Sequence, residues 1–356
     1  MADIDTFISE NAKTIDLELK KQIPQKLIKE QIEALIKKTN YTYDTQALTK
    51  SLIEPTWYLL NLGGKRWRPT LMLLFLEALG KNQKDYLKYS IIPEVIHNAT
   101  LIHDDIEDSS KTRRGAPAVH IKYGIDVATN LGDFLFFYPI TFLSSDKTIS
   151  DETKNKVFNL YLENMIRVTI GQAADIAWHA GLVDSSKISE KEYLQMSNDK
   201  TGVLARFSCE LSGILAGAED QTIKKLGDFG AAVGIAFQIQ DDILNIDESK
   251  VSESKGGVGD DISEGKITLM VIRALKVSSP EDSKRLLSIL SEHTTDKEKI
   301  KEAIKILNKC DSLNYSRKVA ENIIKEAWGS IAPLLKESKA KTQLMEFSEF
   351  MIKRSR

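Results

Sequence analysis

The chain has almost no cysteine. Cys209 and Cys310, far apart, are the two in 356 residues. Neither a disulfide framework nor a zinc spacing can be built from them, and a reducing cytoplasm is the expected compartment. Charge of one sign is also lacking: 49 Lys and Arg stand against 51 Asp and Glu, for a net charge of −2. With no basic excess to neutralise phosphates, nucleic acid is not expected as the main partner. No uncharged run reaches the length of a membrane span. The N-terminus, with Asp3, Asp5 and Glu10, does not read as a signal peptide. Alternating β-branched residues are sparse and Asn-Gly hairpin pairs are missing. No short-period repeat or low-complexity linker divides the chain.

What remains is helix. Apolar residues make up 42 % of the chain and charged residues 28 %, as in an ordinary globular protein. Helical periodicity dominates, so the fold is expected to be all-α. Residues 1–40 read as an amphipathic helix, carrying Ile15, Leu19, Ile23, Leu27, Ile32 and Leu35 among Lys and Glu. A break follows at 40–43, then helix over 48–62, stopped by Gly63 and Gly64. The expected organisation is an N-terminal helical extension, 1–44, and one domain, 45–356.

The organising stretch is Ile96 to Asp108, apolar at first and ending in Asp104, Asp105, Glu107 and Asp108. On a helix, Asp104 and Asp108 lie one turn apart on one face. Such a cluster repels itself until a cation binds. Mg²⁺ takes hard oxygen ligands, usually one or two carboxylates plus substrate phosphates. The alternative is a solvated acidic helix end. A second copy, Phe237-Gln238-Ile239-Gln240-Asp241-Asp242, again closes an apolar run, 230–239, with paired aspartates. Two acidic helix ends can face each other across one cavity, with metal and a diphosphate between them.

Cations accompany the acids. Lys65, Arg66 and Arg68 follow Gly63 and Gly64, and Pro69 opens a helix. Cations before a helix start suit an anion, although a glycine-terminated helix with basic neighbours reads the same way. Arg113 and Arg114 lie in a loop-like stretch, 109–120. They suit phosphate oxygens, or simply pair with Glu107 or Asp108. Residues 131–143, with Phe134, Phe136, Phe137, Tyr138 and Phe142, read as core or cavity wall. Gln172 and Asp175 sit in an apolar helix, 157–182, and need a core partner, a ligand or a lysine. Gly202, after Lys200 and Thr201, suggests a kink or close approach within a long helix. Residues 249–260, containing Lys255, Gly256 and Gly257, read as a mobile loop. The basic end, Lys353 to Arg356, reads as a solubilising tail.

The ordered set Gly-Gly-Lys-Arg-x-Arg-Pro, Asp-Asp-x-x-Asp, Arg-Arg-Gly-x-Pro, Lys-Thr-Gly, Phe-Gln-x-x-Asp-Asp and Glu-Gly-Lys-x-Thr-Leu resembles the trans-isoprenyl diphosphate synthases. The likeness covers roughly residues 50–275. Asp-Asp-Ile-Glu-Asp-Ser-Ser with Arg-Arg-Gly is most similar to geranylgeranyl diphosphate synthases of the archaeal and eukaryotic type. The resemblance implies a single helical bundle of the class I isoprenoid synthase type around an apolar cavity, a homodimer, and three Mg²⁺ with substrate bound. It implies that Asp104, Asp108 and Asp241 hold the metal, with Asp105 and Asp242 supporting. Arg113, Lys200, Lys255 and Lys266 would meet the allylic diphosphate. Gly64, Lys65, Arg68, His97 and Arg114 would hold isopentenyl diphosphate, and Thr201 and Gln238 would line the site where the allylic cation develops. Asn245 stands where many relatives carry a third aspartate. Small residues at Ala99 and Thr100, with Ile96 one turn further, imply a product longer than C15: geranylgeranyl diphosphate (C20), or a C25–C50 chain. A non-catalytic partner subunit on the same fold is the remaining alternative.

Overall fold

The computed structural model describes residues 4–36, 38–246 and 259–353. The expected loop at Lys255, Gly256 and Gly257 and the end of the basic tail lie outside the described residues. The fold is all-α, as expected. The chain divides into two compact units, Met1–Phe158 and Asn159–Arg356.

In the first unit the N-terminal segment is two helices rather than one, Ile4–Gln22 and Lys29–Ile36. Pro24 is the reason: it has no N–H and disfavours helical backbone at the residue before it. The break is used, since Trp57 donates to the Pro24 carbonyl at 3.0 Å and the Leu27 N–H reaches Thr49 Oγ1 at 3.0 Å. Helix Glu54–Asn61 stops before Gly63, whose φ is +82°. The next helix, Trp67–Ala78, starts two residues before Pro69 and buries nearly every side chain. Being apolar all round, it sits inside the unit.

Beside it runs Leu87–Glu107, the first aspartate helix. It ends in reciprocal bonds, Ser110 N–H to Asp105 O at 2.9 Å and Ser109 N–H to Ile106 O at 3.2 Å. Ser109 takes the left-handed position, φ +52°, that glycine usually fills. The stretch read as loop contains a short hairpin, Thr112–Arg113 against Ala116–Pro117. Arg114 and Gly115, at φ +52° and +78°, turn it. Both central residues lie at positive φ, as a tight two-residue hairpin turn requires, without the usual Asn-Gly pair. The aromatic segment is helix Ile125–Phe137, then a tighter turn through Ile140 and a short helix, Thr141–Ser144. Phe136 stacks on His103 of the aspartate helix at 5.5 Å, while Phe137 faces solvent.

The second unit is built on Asp220–Ile246, the second aspartate helix. This helix runs on past Asp241 and Asp242, so that pair is not at a helix end as the sequence reading had it. It packs on Val203–Ala216 and, through a Phe229–Trp328 ring contact at 6.0 Å, on Ser312–Ile331. Before Val203 the chain makes a wide i→i+5 turn, Asn198–Gly202, which carries Lys200 and Thr201. Such turns recur at functional sites. Of the two readings of Gly202, the close approach is present: a Cβ on Gly234 would lie 2.5 Å from Gly202 Cα.

One packing contact in this unit carries a pH dependence. Glu210 lies so close to Gly227 that a Cβ there would come 2.2 Å from its Oε1. Burial pushes its carboxyl from 4.5 up to about 7, against the opposing charge of Arg206. The folded chain therefore binds this proton more tightly than the unfolded chain. The resulting stability is complete below pH 4.5 and is lost as pH rises through about 7. Glu210→Gln should remove a decline of roughly 2–3 kcal/mol over that range. Urea denaturation at the two ends of the range measures it; identical slopes for variant and wild type would exclude Glu210 as the source.

Candidate active site

In the first unit the aspartates divide by burial. Asp104 and Asp108 are part-exposed, whereas Asp105 is buried. Arg113 donates to Asp105 through Nε at 2.9 Å and also through Nη2. Burial raises the Asp105 carboxyl, with Arg113 opposing, and its Oδ2 has no protein hydrogen-bond partner. Among the described residues no group of three or more acidic, His or Cys side chains forms a ready-made metal cage. Hard carboxylate oxygens that leave most of a coordination shell open suit magnesium, which keeps waters and takes phosphate oxygens.

The cations form a separate cluster. Arg114 donates to the Gly63 carbonyl, and a Cβ on Gly64 would lie 3.2 Å from Arg114 Nη2. Arg68 is buried with its guanidinium over the Trp67 ring at 4.3 Å, while Lys65 is exposed. Burial, then the charges of Arg68, Arg114, Arg113 and Arg66, hold His97 well below its ordinary range. His97 is thus neutral at pH 7 and offers an anion one N–H rather than a charge. Arg66, in the same loop, is buried. It bonds Asp16, Glu94 and the Leu60 carbonyl. Ile96 and Ala99 are fully buried, and Thr100 is part-exposed with its hydroxyl on the His97 carbonyl at 2.8 Å.

In the second unit one hydrogen-bonded line joins three of the expected residues. Thr201 Oγ1 donates to Gln238 Oε1 at 2.7 Å, and Gln238 Nε2 donates to Asp242 Oδ1 at 2.7 Å. Tyr193, absent from the sequence reading, donates to Asp242 Oδ2 at 2.7 Å. Burial first, then the charge of Asp261, pushes the Asp242 carboxyl well above the usual range. Asp241, its neighbour, is part-exposed. Lys200 bonds Asp175 at 2.5 Å, which answers what Asp175 partners. Burial works against that carboxylate, yet Lys200 and then Lys266 hold it below its ordinary range. Lys266 also reaches Asp261 at 3.5 Å and pairs with Glu264. The Asn245 side-chain oxygen accepts from the Asp261 N–H at 3.1 Å. Lys255 lies outside the described residues.

Sequence reasoning missed Glu94, Asn98 and Tyr193. Glu94 carried a signal, a carboxylate inside the apolar run 91–96 that must find a partner. Tyr193 carried none, because a buried hydroxyl's partner depends on the tertiary fold.

The chain is 34 % identical over 307 residues to a geranylgeranyl diphosphate synthase of Sulfolobus acidocaldarius, covering 85 % of this chain and 91 % of that one. It is also 34 % identical over 305 residues to a short chain isoprenyl diphosphate synthase of Methanothermobacter thermautotrophicus, with 86 % of this chain and 91 % of the relative covered. Among solved structures, the geranylgeranyl pyrophosphate synthetase of Pyrococcus horikoshii superposes with a TM-score of 0.83 at 31 % identity, over 99 % of this chain and 98 % of that one. A family model described as polyprenyl synthetase matches residues 49–307, the span that holds all six motifs. With its all-α fold and its relatives of one chemical class, the chain belongs to the polyprenyl synthetase family of trans-prenyltransferases.

Proposed function

We propose that the protein condenses isopentenyl diphosphate with an allylic diphosphate, head to tail (1′-4), releasing pyrophosphate and ending at geranylgeranyl diphosphate. The observation that carries this reading is the group of arginines beside the acidic motif: Arg68, Arg114, Arg113 and Arg66 act on His97, and Arg114 lies against Gly64. A terpene cyclase or a head-to-head condensing enzyme does not need such a second diphosphate site. The roles follow the family motifs. Asp104, Asp108 and Asp241 hold magnesium, three ions with substrate bound, and Asp105 and Asp242 support them. Arg113, Lys200, Lys255 and Lys266 meet the allylic diphosphate.

Breaking the allylic C–O bond leaves negative charge on the departing diphosphate. Bound magnesium supplies Lewis-acid neutralisation of that charge. Arg113, Lys200 and Lys266 add fixed positive charge without reorganisation during the step. The line Thr201–Gln238–Asp242–Tyr193 fixes which way the Thr201 and Gln238 oxygens point, and these face the developing allylic cation. The isopentenyl alkene attacks that cation to form the new C–C bond, and transfer of a proton to the released pyrophosphate completes the product.

Residues 45–356 form the synthase domain and 1–44 its extension. Exposed Leu162, Ile166 and Ile170 repeat every four residues on helix Asp151–His179, an apolar stripe that suits the partner face of a homodimer. No described helix is long and apolar enough to cross a membrane, and a cytoplasmic site of action fits the two reduced cysteines. The pure protein incubated with Mg²⁺, isopentenyl diphosphate and farnesyl diphosphate should release pyrophosphate and form a C20 diphosphate. Absence of a longer prenyl chain would defeat the reading, and a product of C25 or more would leave the chemistry and move the product.

A further inference from the structure

Arg66 sits in the middle of the cation loop, yet its side chain is 1 % exposed. Its backbone is left-handed, φ +48°. Three acceptors fix its guanidinium: Asp16 Oδ1 on Nε at 2.9 Å, Glu94 Oε1 on Nη1 at 2.7 Å, and the Leu60 carbonyl on Nη2 at 2.8 Å. Glu94 is itself held by Asn98 Nδ2 at 2.9 Å. These contacts bring three elements together: the N-terminal helix, the end of Glu54–Asn61 and the first aspartate helix. A Cβ on Gly64 would lie 3.2 Å from Arg66 Nη1 and 3.2 Å from Arg114 Nη2. The Gly64 backbone therefore rests against two guanidinium groups, one assigned to substrate and one held by the protein.

Asp16 is not needed to dock its helix. Ile8, Ile15 and Leu19 on the same helix are buried, at 3 %, 0 % and 1 % exposure, whereas the Asp16 side chain is 43 % exposed. Nor is it needed to neutralise Arg66, since Glu94 already pairs with that residue. What Asp16 alone supplies is the acceptor for Nε, which sets the plane of the guanidinium under Gly64.

We propose that Asp16, in the N-terminal extension, is a positioning residue for isopentenyl diphosphate: acting through Arg66, it holds the Gly64–Lys65 backbone in its binding geometry. This rests on the reading of Gly64, Lys65 and Arg68 as that substrate's site. The extension is then part of the substrate machinery and not an appendage to it.

Steady-state kinetics of the full chain test this, with each substrate varied in turn for wild type, Asp16→Ala, Asp16→Glu and Lys65→Ala. Asp16→Ala removes the Nε acceptor and should raise KM for isopentenyl diphosphate about three- to fivefold, the scale of one half-exposed ion pair. The KM for the allylic substrate and kcat should stay within about twofold, and Asp16→Glu should restore the wild-type KM. An unchanged KM in Asp16→Ala, or an equal rise for both substrates, overturns the proposal. Lys65→Ala monitors the site itself. If it raises KM for isopentenyl diphosphate while Asp16→Ala does not, the site stands and only the role of Asp16 fails. If Lys65→Ala changes neither KM, the site assignment fails and takes the proposal with it.

Discussion

Asp104→Ala and Asp241→Ala are each expected to cut turnover by roughly 10³-fold, the scale of losing a preorganised charge-stabilising contact, with the melting temperature nearly unchanged. The adjacent aspartates should behave differently. Asp105 and Asp242 are buried, and they accept hydrogen bonds from Arg113 and from Tyr193 with Gln238. Asp242→Ala leaves a buried Tyr193 hydroxyl without its acceptor, which costs about 1–3 kcal/mol of stability. Within each Asp-Asp pair, one carboxylate is part-exposed and the other buried. Parallel measurements of turnover and thermal unfolding on all four variants check this. Near-normal turnover in Asp104→Ala or Asp241→Ala would remove that residue as a metal ligand. A large loss of stability in either would show it to be structural.

The second large effect is on product length. If the growing chain runs from Asp104 back along its own helix, one turn brings it to Thr100 and a second to Ile96, about 5.4 Å apiece. Small residues at Ala99 and Thr100 let it pass, and the buried Ile96 marks where it stops. On the segment beside this helix, Phe134 stacks on Tyr138 at 5.0 Å and Phe142 meets Tyr138 edge-on at 5.1 Å, which adds a rigid wall. Ala99→Phe with Thr100→Phe should move the product from C20 to C15. Ala99 is fully buried, so overpacking costs about 1–3 kcal/mol there. Thr100→Phe alone, at a part-exposed position, gives a milder variant with the same direction of shift. Chromatography of the dephosphorylated products reads the outcome. An active double variant that still makes C20 would show that the chain follows another face.

Much of this was legible in sequence because the chemistry is carried by short, ordered motifs. The acidic pairs, the basic loop and the Lys-Thr-Gly turn could each be placed by number, and the all-α fold followed from period alone. What escaped was partnership. Nothing in the sequence separates Arg66 from Lys65 and Arg68, yet Arg66 is bound by three protein acceptors. Asp105 and Asp104 look equivalent on paper and differ because of the helical rotation between neighbours, which sends one inward. The hairpin at Thr112–Arg113 was hidden because Arg114 holds a left-handed position without the Asn or Gly that usually signals one. The break at Pro24 was legible and passed over, since apolar residues keep a helical spacing across it. The second aspartate pair was placed at a helix end because the apolar run stops there, whereas packing on both sides carries the helix on to Ile246.

The wide turn at Lys200 and Thr201 is gripped by backbone from two sides. A Cβ on Gly171 would lie 2.3 Å from Lys200 N, and one on Gly234 2.5 Å from Gly202 Cα. Neither contact involves the far end of a flexible side chain that could swing away. These positions should therefore be mutational dead spots, where a saturation library returns glycine and little else despite lying several residues from any charged group. Random mutagenesis scored only on activity would count them as catalytic. Paired assays of abundance and turnover would show the two falling together, the mark of a scaffold that fails before its chemistry does.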